Sequence, residues 1–134
     1  MVFREHFVGI GTDLVRTRGR GRSLVTGAQG FAALDMRIGT VVSAEAFPAM
    51  RKPSYKLLVD FGGEIGHKRS SAQLTDLYTC EELIGMQLVA AINLGTKRVA
   101  GFESEVLILG VPDANGRVVL LLPERRIDDG VRVF

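Results

Sequence analysis

Six consecutive residues, Lys68-Arg69-Ser70-Ser71-Ala72-Gln73, hold the densest polar chemistry of this 134-residue chain. Lysine and arginine can meet phosphate oxygens, while hydroxyls and an amide reach sugar and base edges. The same hydroxyls and amide can equally satisfy backbone groups at a strand end, and residue chemistry alone does not separate the two. Arg51, Lys52 and Lys56 extend the cluster if they share its surface, and taken singly they read as solvated side chains. A second polar group follows at Asn93, Lys97-Arg98 and Ser104-Glu105. Ser104 and Glu105 read either as ligand contacts or as an internal brace for their loop. The brace is favoured, because a carboxylate repels phosphate.

Bond-making chemistry has little to work with. His6 and His67 are the only histidines, and no second histidine or cysteine stands near His67 at metal-ligand spacing. His67, between Gly66 and Lys68, reads as a solvated side chain on a strand. Cys80 opens a predicted helix, where a thiol can be acidified, but no base is placed beside it. Ser70-Ser71 lacks the strand-turn-helix setting and flanking glycines of a nucleophile elbow. The glycines never form a phosphate loop ending in Gly-Lys-Ser/Thr. The expectation is a noncatalytic binding protein without cofactor or metal. With no Trp, and most of its seven Phe at strand ends or in the first thirty residues, the chain is not a natural base-stacking reader of single strands.

The elements that must position these residues are mostly strands. Phe31–Leu34 reads as a helical turn leading into a strand from Ile38 to Phe47. Gly39 lies inside that strand, where a glycine often marks a bend or bulge. Pro48 and Pro53 bracket a loop carrying Arg51 and Lys52. Tyr55–Phe61 is the second strand and Gly62-Gly63 a turn, so Glu64–Ser71 becomes the third by hairpin pairing. Thr75–Leu83 breaks the strand pattern. Thr79 with Glu82 three residues on predicts a capping box, with Gly85 as the stop. Leu88–Leu94 is a fourth strand, apolar enough to be buried on both faces. Glu105–Leu109 is a fifth, and Asp113-Ala114-Asn115-Gly116 turns the chain into Val118–Leu122. Asp129-Gly130 turns it again into Val131–Phe134. Alternate residues of Val118–Leu122 point to opposite faces, so some need a cover outside one small barrel. A homodimer interface would supply it, as would a groove for unfolded polypeptide.

Residues 1–30 differ from the rest. Arg16-Thr17-Arg18-Gly19-Arg20-Gly21-Arg22-Ser23 has no apolar periodicity and cannot build a core. It reads as an over-extended passenger segment or as an arm that holds phosphates nonspecifically. The expected division is a disordered basic extension over 1–30 and one domain over 31–134. The extension carries +3 and the domain −1, so the domain is not a generally basic nucleic-acid binder. A single cysteine, no run of ~18 apolar residues and no signal-peptide order at the N-terminus point to a soluble cytoplasmic protein.

Three stretches carry a resemblance. They are Asp35–Val42 with Tyr55–Gly62, then Lys68–Thr75 with its Ser-Ser-Ala-Gln, then Asn93 followed by Lys97–Leu107 with its Gly-Phe-x-Ser-Glu. Together they resemble the tRNA-binding-domain family of OB folds, over roughly residues 31–134, and most of all its export-associated chaperone branch. The resemblance implies an all-β, five-stranded OB-fold barrel with a short helix and extra C-terminal strands. It implies RNA-facing roles for Arg51, Lys52, Lys56, Lys68, Arg69, Ser70, Ser71, Gln73, Asn93, Lys97 and Arg98. It also implies tRNA, unfolded preproteins and the export machinery as partners. The chain departs from the chaperone branch at Gly95-Thr96, where a Pro-Pro pair is usual. The alternative within the family is a purely structure-specific tRNA binder, an accessory to aminoacylation without a chaperone role.

Overall fold

A computed structural model describes residues 27–134. The Arg/Gly segment, His6 and the expected disorder of the extension lie outside the described residues. A helix α1 (Gly27–Ala32) straddles the domain boundary drawn at residue 30. It is followed by β1 (Met36–Ala46), β2 (Tyr55–Asp60), β3 (His67–Ala72), α2 (Cys80–Leu83), β4 (Gln87–Ala91), β5 (Lys97–Val99), β6 (Phe102–Ser104), β7 (Leu107–Ile108), β8 (Gly110–Pro112) and β9 (Val118–Leu120). No helix among the described residues is long and apolar enough to cross a membrane.

The eleven residues of β1 serve two neighbours. The first half, Met36–Thr40, pairs antiparallel with β4, and the second half, Thr40–Ala46, pairs with β2. Between them the strand must bend. A register shift puts Val41 opposite Val59 and Ser43 opposite Leu58, leaving Val42 as the extra residue of a bulge. The bulge thus falls three residues after Gly39, whose own role is close approach. A Cβ there would lie 2.6 Å from Val59 Cγ1 and 2.8 Å from the Phe61 ring.

The sheet order is β3-β2-β1-β4-β7, an antiparallel barrel that is nearly closed and has few short helices, consistent with an OB fold. Inward residues alternate along the strands and meet in one core, with Val41, Leu57, Val59, Phe61, Leu88, Ala90 and Ile108 at its centre. Leu74, Leu83, Val118 and Leu120 plug it from outside the five strands. The alternation expected of Val118–Leu122 holds only over β9, where Val118 and Leu120 are buried and Val119 is half-buried; past the strand, Leu121 and Leu122 are both exposed.

Several boundaries move for identifiable reasons. The third strand starts at His67 rather than Glu64, because Gly62, Gly63 and Gly66 all adopt positive φ in a turn closed by Phe61 N–H to Gly66 O. The helix, by contrast, starts at Cys80 as expected, where the capping box of Thr79 with Glu82 defines it. The fifth sheet strand shortens to Leu107–Ile108. The expected loop ahead of it is instead the β5–β6 hairpin, turned by Ala100 (φ 47°) and Gly101 (φ 81°). After Gly130 the chain runs back along β1, with Ile38 N–H bonded to Val131 O and Val133 N–H to Met36 O.

Candidate nucleic-acid interface

The β3 edge turned away from β2 would be a bare edge strand without a partner. Its donors are met by the polar residues singled out in the sequence. Glu105 Oε1 accepts from the Arg69 amide at 2.9 Å, and the Glu105 amide donates back to Arg69 O at 2.7 Å. The Ser104 hydroxyl accepts from the Ser71 amide at 3.0 Å, and Ser70 Oγ donates to Val106 O at 2.9 Å. Ser70, Ser71 and Ser104 are all buried. Together with Glu105, these serines form the seam that closes the barrel between β3 and the segment carrying β6 and β7. These polar atoms of the seam face each other.

The strand register decides which cations share a surface. Directly opposed residues point to the same face. Lys56 opposes Ser71, Leu58 opposes Arg69 and Asp60 opposes His67 on the outer face. Lys68 opposes Val59 and Ser70 opposes Leu57 on the inner one. Adjacent Lys68 and Arg69 thus leave β3 in opposite directions. Arg69 joins Lys56 on the outer face, while Lys68 emerges at the end of the inner one.

That outer face meets two loops. The connection 47–54 carries Arg51 and Lys52, both exposed, and the β5–β6 hairpin stands across from it. Between them lies a groove of about 740 Å³ lined by Ala49, Met50, Arg51, Lys52, Gln73, Val99 and Ala100. Gln73 and Lys52 continue into a smaller cleft of about 210 Å³ beside Thr75 and Asp76. In OB folds the β2–β3 face and the loops after β1 and β4 are where oligonucleotides are held. Arg51, Lys52, Lys56, Arg69 and Gln73 are brought to this side.

The wall shared by face and hairpin is aromatic. Phe47 and Phe102 pack edge to face, 5.4 Å between centroids. Lys56 Nζ sits 4.8 Å from the Phe47 centroid and 5.4 Å from that of Phe102, and the Arg69 guanidinium 5.9 Å from the latter. Such cation–π contacts orient both cations. Arg69 also meets Glu105 at 3.3 Å and Glu103 at 3.6 Å, and Arg98 meets Glu103 at 3.8 Å. Phe102, Met50 and Glu103 were not singled out in the sequence. For Phe102 the available signal was its place inside the Gly-Phe-x-Ser-Glu stretch.

Other candidates sit elsewhere. Asn93 is a clamp at the base of β1: its Oδ1 accepts from the Asp35 amide at 2.8 Å and its Nδ2 donates to Ala33 O at 2.9 Å. Lys97 lies on β5 opposite Ser104. His67 Nε2 stands 3.7 Å from Asp60 Oδ2, half exposed. The Cys80 thiol is pushed up from its ordinary value by burial and by the nearby Glu81 and Glu45 carboxylates, the reverse of helix-start acidification.

Comparison with known proteins follows the same residues. Residues 36–132 match the family profile described as "Putative tRNA binding domain". Among solved structures, the chaperone CsaA of Bacillus anthracis is 50% identical with a TM-score of 0.75, the match covering 83% of this chain and 100% of that one. The CsaA chaperone protein of Picrophilus torridus is 38% identical with a TM-score of 0.77 over the same shares. Among curated proteins, the methionine–tRNA ligase of Methanococcoides burtonii is 39% identical over 100 residues, 75% of this chain but 14% of the ligase. The chain thus spans only a small part of that relative's length.

Proposed function

This chain belongs to the tRNA-binding-domain family, and from that premise we propose that it is a noncatalytic protein that holds folded tRNA across its β2–β3 face and the groove beside it. The observation that carries the reading is the groove itself. Arg51 and Lys52 on one rim, Gln73 between the rims, and Lys56 with Arg69 on the adjoining face put cations and an amide on one side of a domain whose overall charge is close to zero. Cations held by aromatic rings and carboxylates suit a folded, rigid phosphate array better than a flexible strand that needs stacking platforms. A tRNA partner implies the cytoplasm as the compartment.

A second activity, capture of unfolded preproteins in export, is supported by two observations. CsaA chaperones are matched over their whole chains, and Leu121, Leu122, Ile127 and Val131 are exposed apolar side chains near the C-terminus. The same residues suit a two-fold homodimer interface, since monomers avoid large apolar patches. The alternative is a tRNA-binding accessory to aminoacylation alone, in keeping with the ligase relatives.

Filter binding with folded tRNA, across a salt series and against an unfolded polypeptide competitor, separates these readings. Arg51→Ala with Lys52→Ala should weaken tRNA binding and lower the log–log salt slope by about one unit for each phosphate no longer neutralised. The full chain serves for both proteins, so the N-terminal arginines contribute equally to each. An unchanged slope would sink the groove as the RNA site. Competition by polypeptide without loss of tRNA would assign the two ligands to separate surfaces.

A further inference from the structure

The carboxylate of Glu103 lies between two arginines that come from different elements. Its Oε1 is 3.8 Å from Arg98 Nη1 on β5, and its Oε2 is 3.6 Å from Arg69 Nη2 on β3. Glu105, two residues on, makes a different kind of contact. It accepts the Arg69 amide at 2.9 Å and the Arg69 Nε at 3.3 Å, and its side chain is only 27% exposed. Glu103 is 48% exposed, and both of its arginine contacts are longer than a hydrogen bond. One carboxylate is built into the barrel seam, and the other rests loosely on two guanidinium groups at the surface.

A phosphate is a stronger partner for arginine than a distant carboxylate, because it offers short charge-assisted bonds to a planar fork. We propose that Glu103 is a specificity-determining residue: a built-in competitor that occupies Arg69 and Arg98 until a ligand presenting phosphates to both displaces it. The inference rests on the reading of this face as a phosphate-binding surface. An isolated anion gains one arginine and must still break the bridge. A polyanion with phosphates spaced to reach both β3 and β5 replaces the two contacts together. Exposed ion pairs are each worth roughly a factor of 1.5 to 5 in an equilibrium constant, so displacing both costs an incoming ligand roughly 2- to 30-fold.

The test is Glu103→Gln in the full chain, measured by equilibrium binding of two probes, folded tRNA and inorganic polyphosphate. Glu124→Gln is the control. It makes the same change of charge in the segment that Arg126 ties to Gly85 and to Thr40 in the middle of β1, at none of the residues that line the groove. Glu103→Gln should tighten polyphosphate several-fold while Glu124→Gln changes little. The gain should shrink when Arg98→Gln is added, since one of the two displaced ion pairs is then already gone. No gain with Glu103→Gln, an equal gain with Glu124→Gln, or an undiminished gain in the Arg98→Gln background would each overturn the proposal. If polyphosphate shows the expected pattern while neither the wild type nor any variant binds tRNA, the competitor stands and the tRNA reading falls. If the wild type binds tRNA but Glu103→Gln tightens neither probe, the tRNA reading stands and the competitor falls.

Discussion

Replacing Ser104 by alanine takes away the acceptor that the Ser71 amide uses at 3.0 Å, in a position with no solvent exposure. Replacing Ser70 by alanine takes away a donor, the hydroxyl 2.9 Å from Val106 O. Both changes delete one oxygen, but they leave different groups behind. A buried N–H stripped of its acceptor costs about 1–3 kcal/mol, whereas a carbonyl short of one donor is tolerated better, at about 0.5–1.5 kcal/mol. In a domain of this size each kcal/mol moves Tm by roughly 4 °C, so Ser104→Ala should lose roughly 4–12 °C and Ser70→Ala distinctly less. Thermal and urea unfolding followed by far-UV circular dichroism give the ranking. Amide hydrogen exchange gives the cause: the Ser71 amide should lose protection in Ser104→Ala and keep it in Ser70→Ala. Because Ser104 ties β6 to β3, the hairpin rim of the groove should loosen and tRNA affinity should fall with it. A Ser70→Ala cost equal to or larger than that of Ser104→Ala, or a Ser71 amide protected in both, would refute the seam as described.

Other expectations are open to equally direct measurement. The Asp35 carboxyl is held below its ordinary value of 3.8, chiefly by its hydrogen bond with the Arg37 side chain and further by the charges of Arg37 and Arg132. A lowered folded value means stability that is complete above 3.8 and lost as pH falls through the folded pKa, so Asp35→Asn should cost stability at pH 7 and converge with wild type well below 3.8. Gly39→Ala should destabilise by about 1–3 kcal/mol, because the new methyl meets the fully buried Val59 and Phe61; a neutral result by urea titration would contradict the close approach. Cys80 should react with a thiol reagent more slowly at pH 8 than an unhindered thiol, and Glu81→Gln should speed it, whereas a fast wild-type reaction would show an acidified thiol. Leu121→Lys with Leu122→Lys should yield monomers in sedimentation equilibrium if these exposed side chains pair two copies; unchanged dimers, or a wild type that is already monomeric at micromolar concentration, would remove that interface.

The five sheet strands, the turns at Gly62-Gly63 and Asp113–Gly116, the capped helix and the family were legible in the chain itself, because each is written in local terms; the β5–β6 hairpin was not. Apolar, β-branched and aromatic residues marked β1 and β2, a nearly unbroken apolar run marked β4, glycines marked turns, and Thr79 with Glu82 marked the helix start. The Ser-Ser-Ala-Gln and Gly-Phe-x-Ser-Glu stretches marked the resemblance. Adjacent Lys68 and Arg69 look like one patch in one dimension; strand alternation sends them to opposite faces, and only the register against Val59 and Leu58 decides which face each takes. Ser70 and Ser71 of the same cluster read equally as ligand contacts or strand-end braces until β6 is laid against β3, where the Ser70 hydroxyl and the Ser71 amide help to close the barrel. Glu103 drew no notice because its meaning lies in two arginines, one five residues away across a hairpin turn and the other thirty-four residues away on another strand. Local propensity and pattern act over a few residues and can be read from order alone. Which polar groups are used up inside the fold, and which are left facing a ligand, depends on neighbours that only the folded chain supplies.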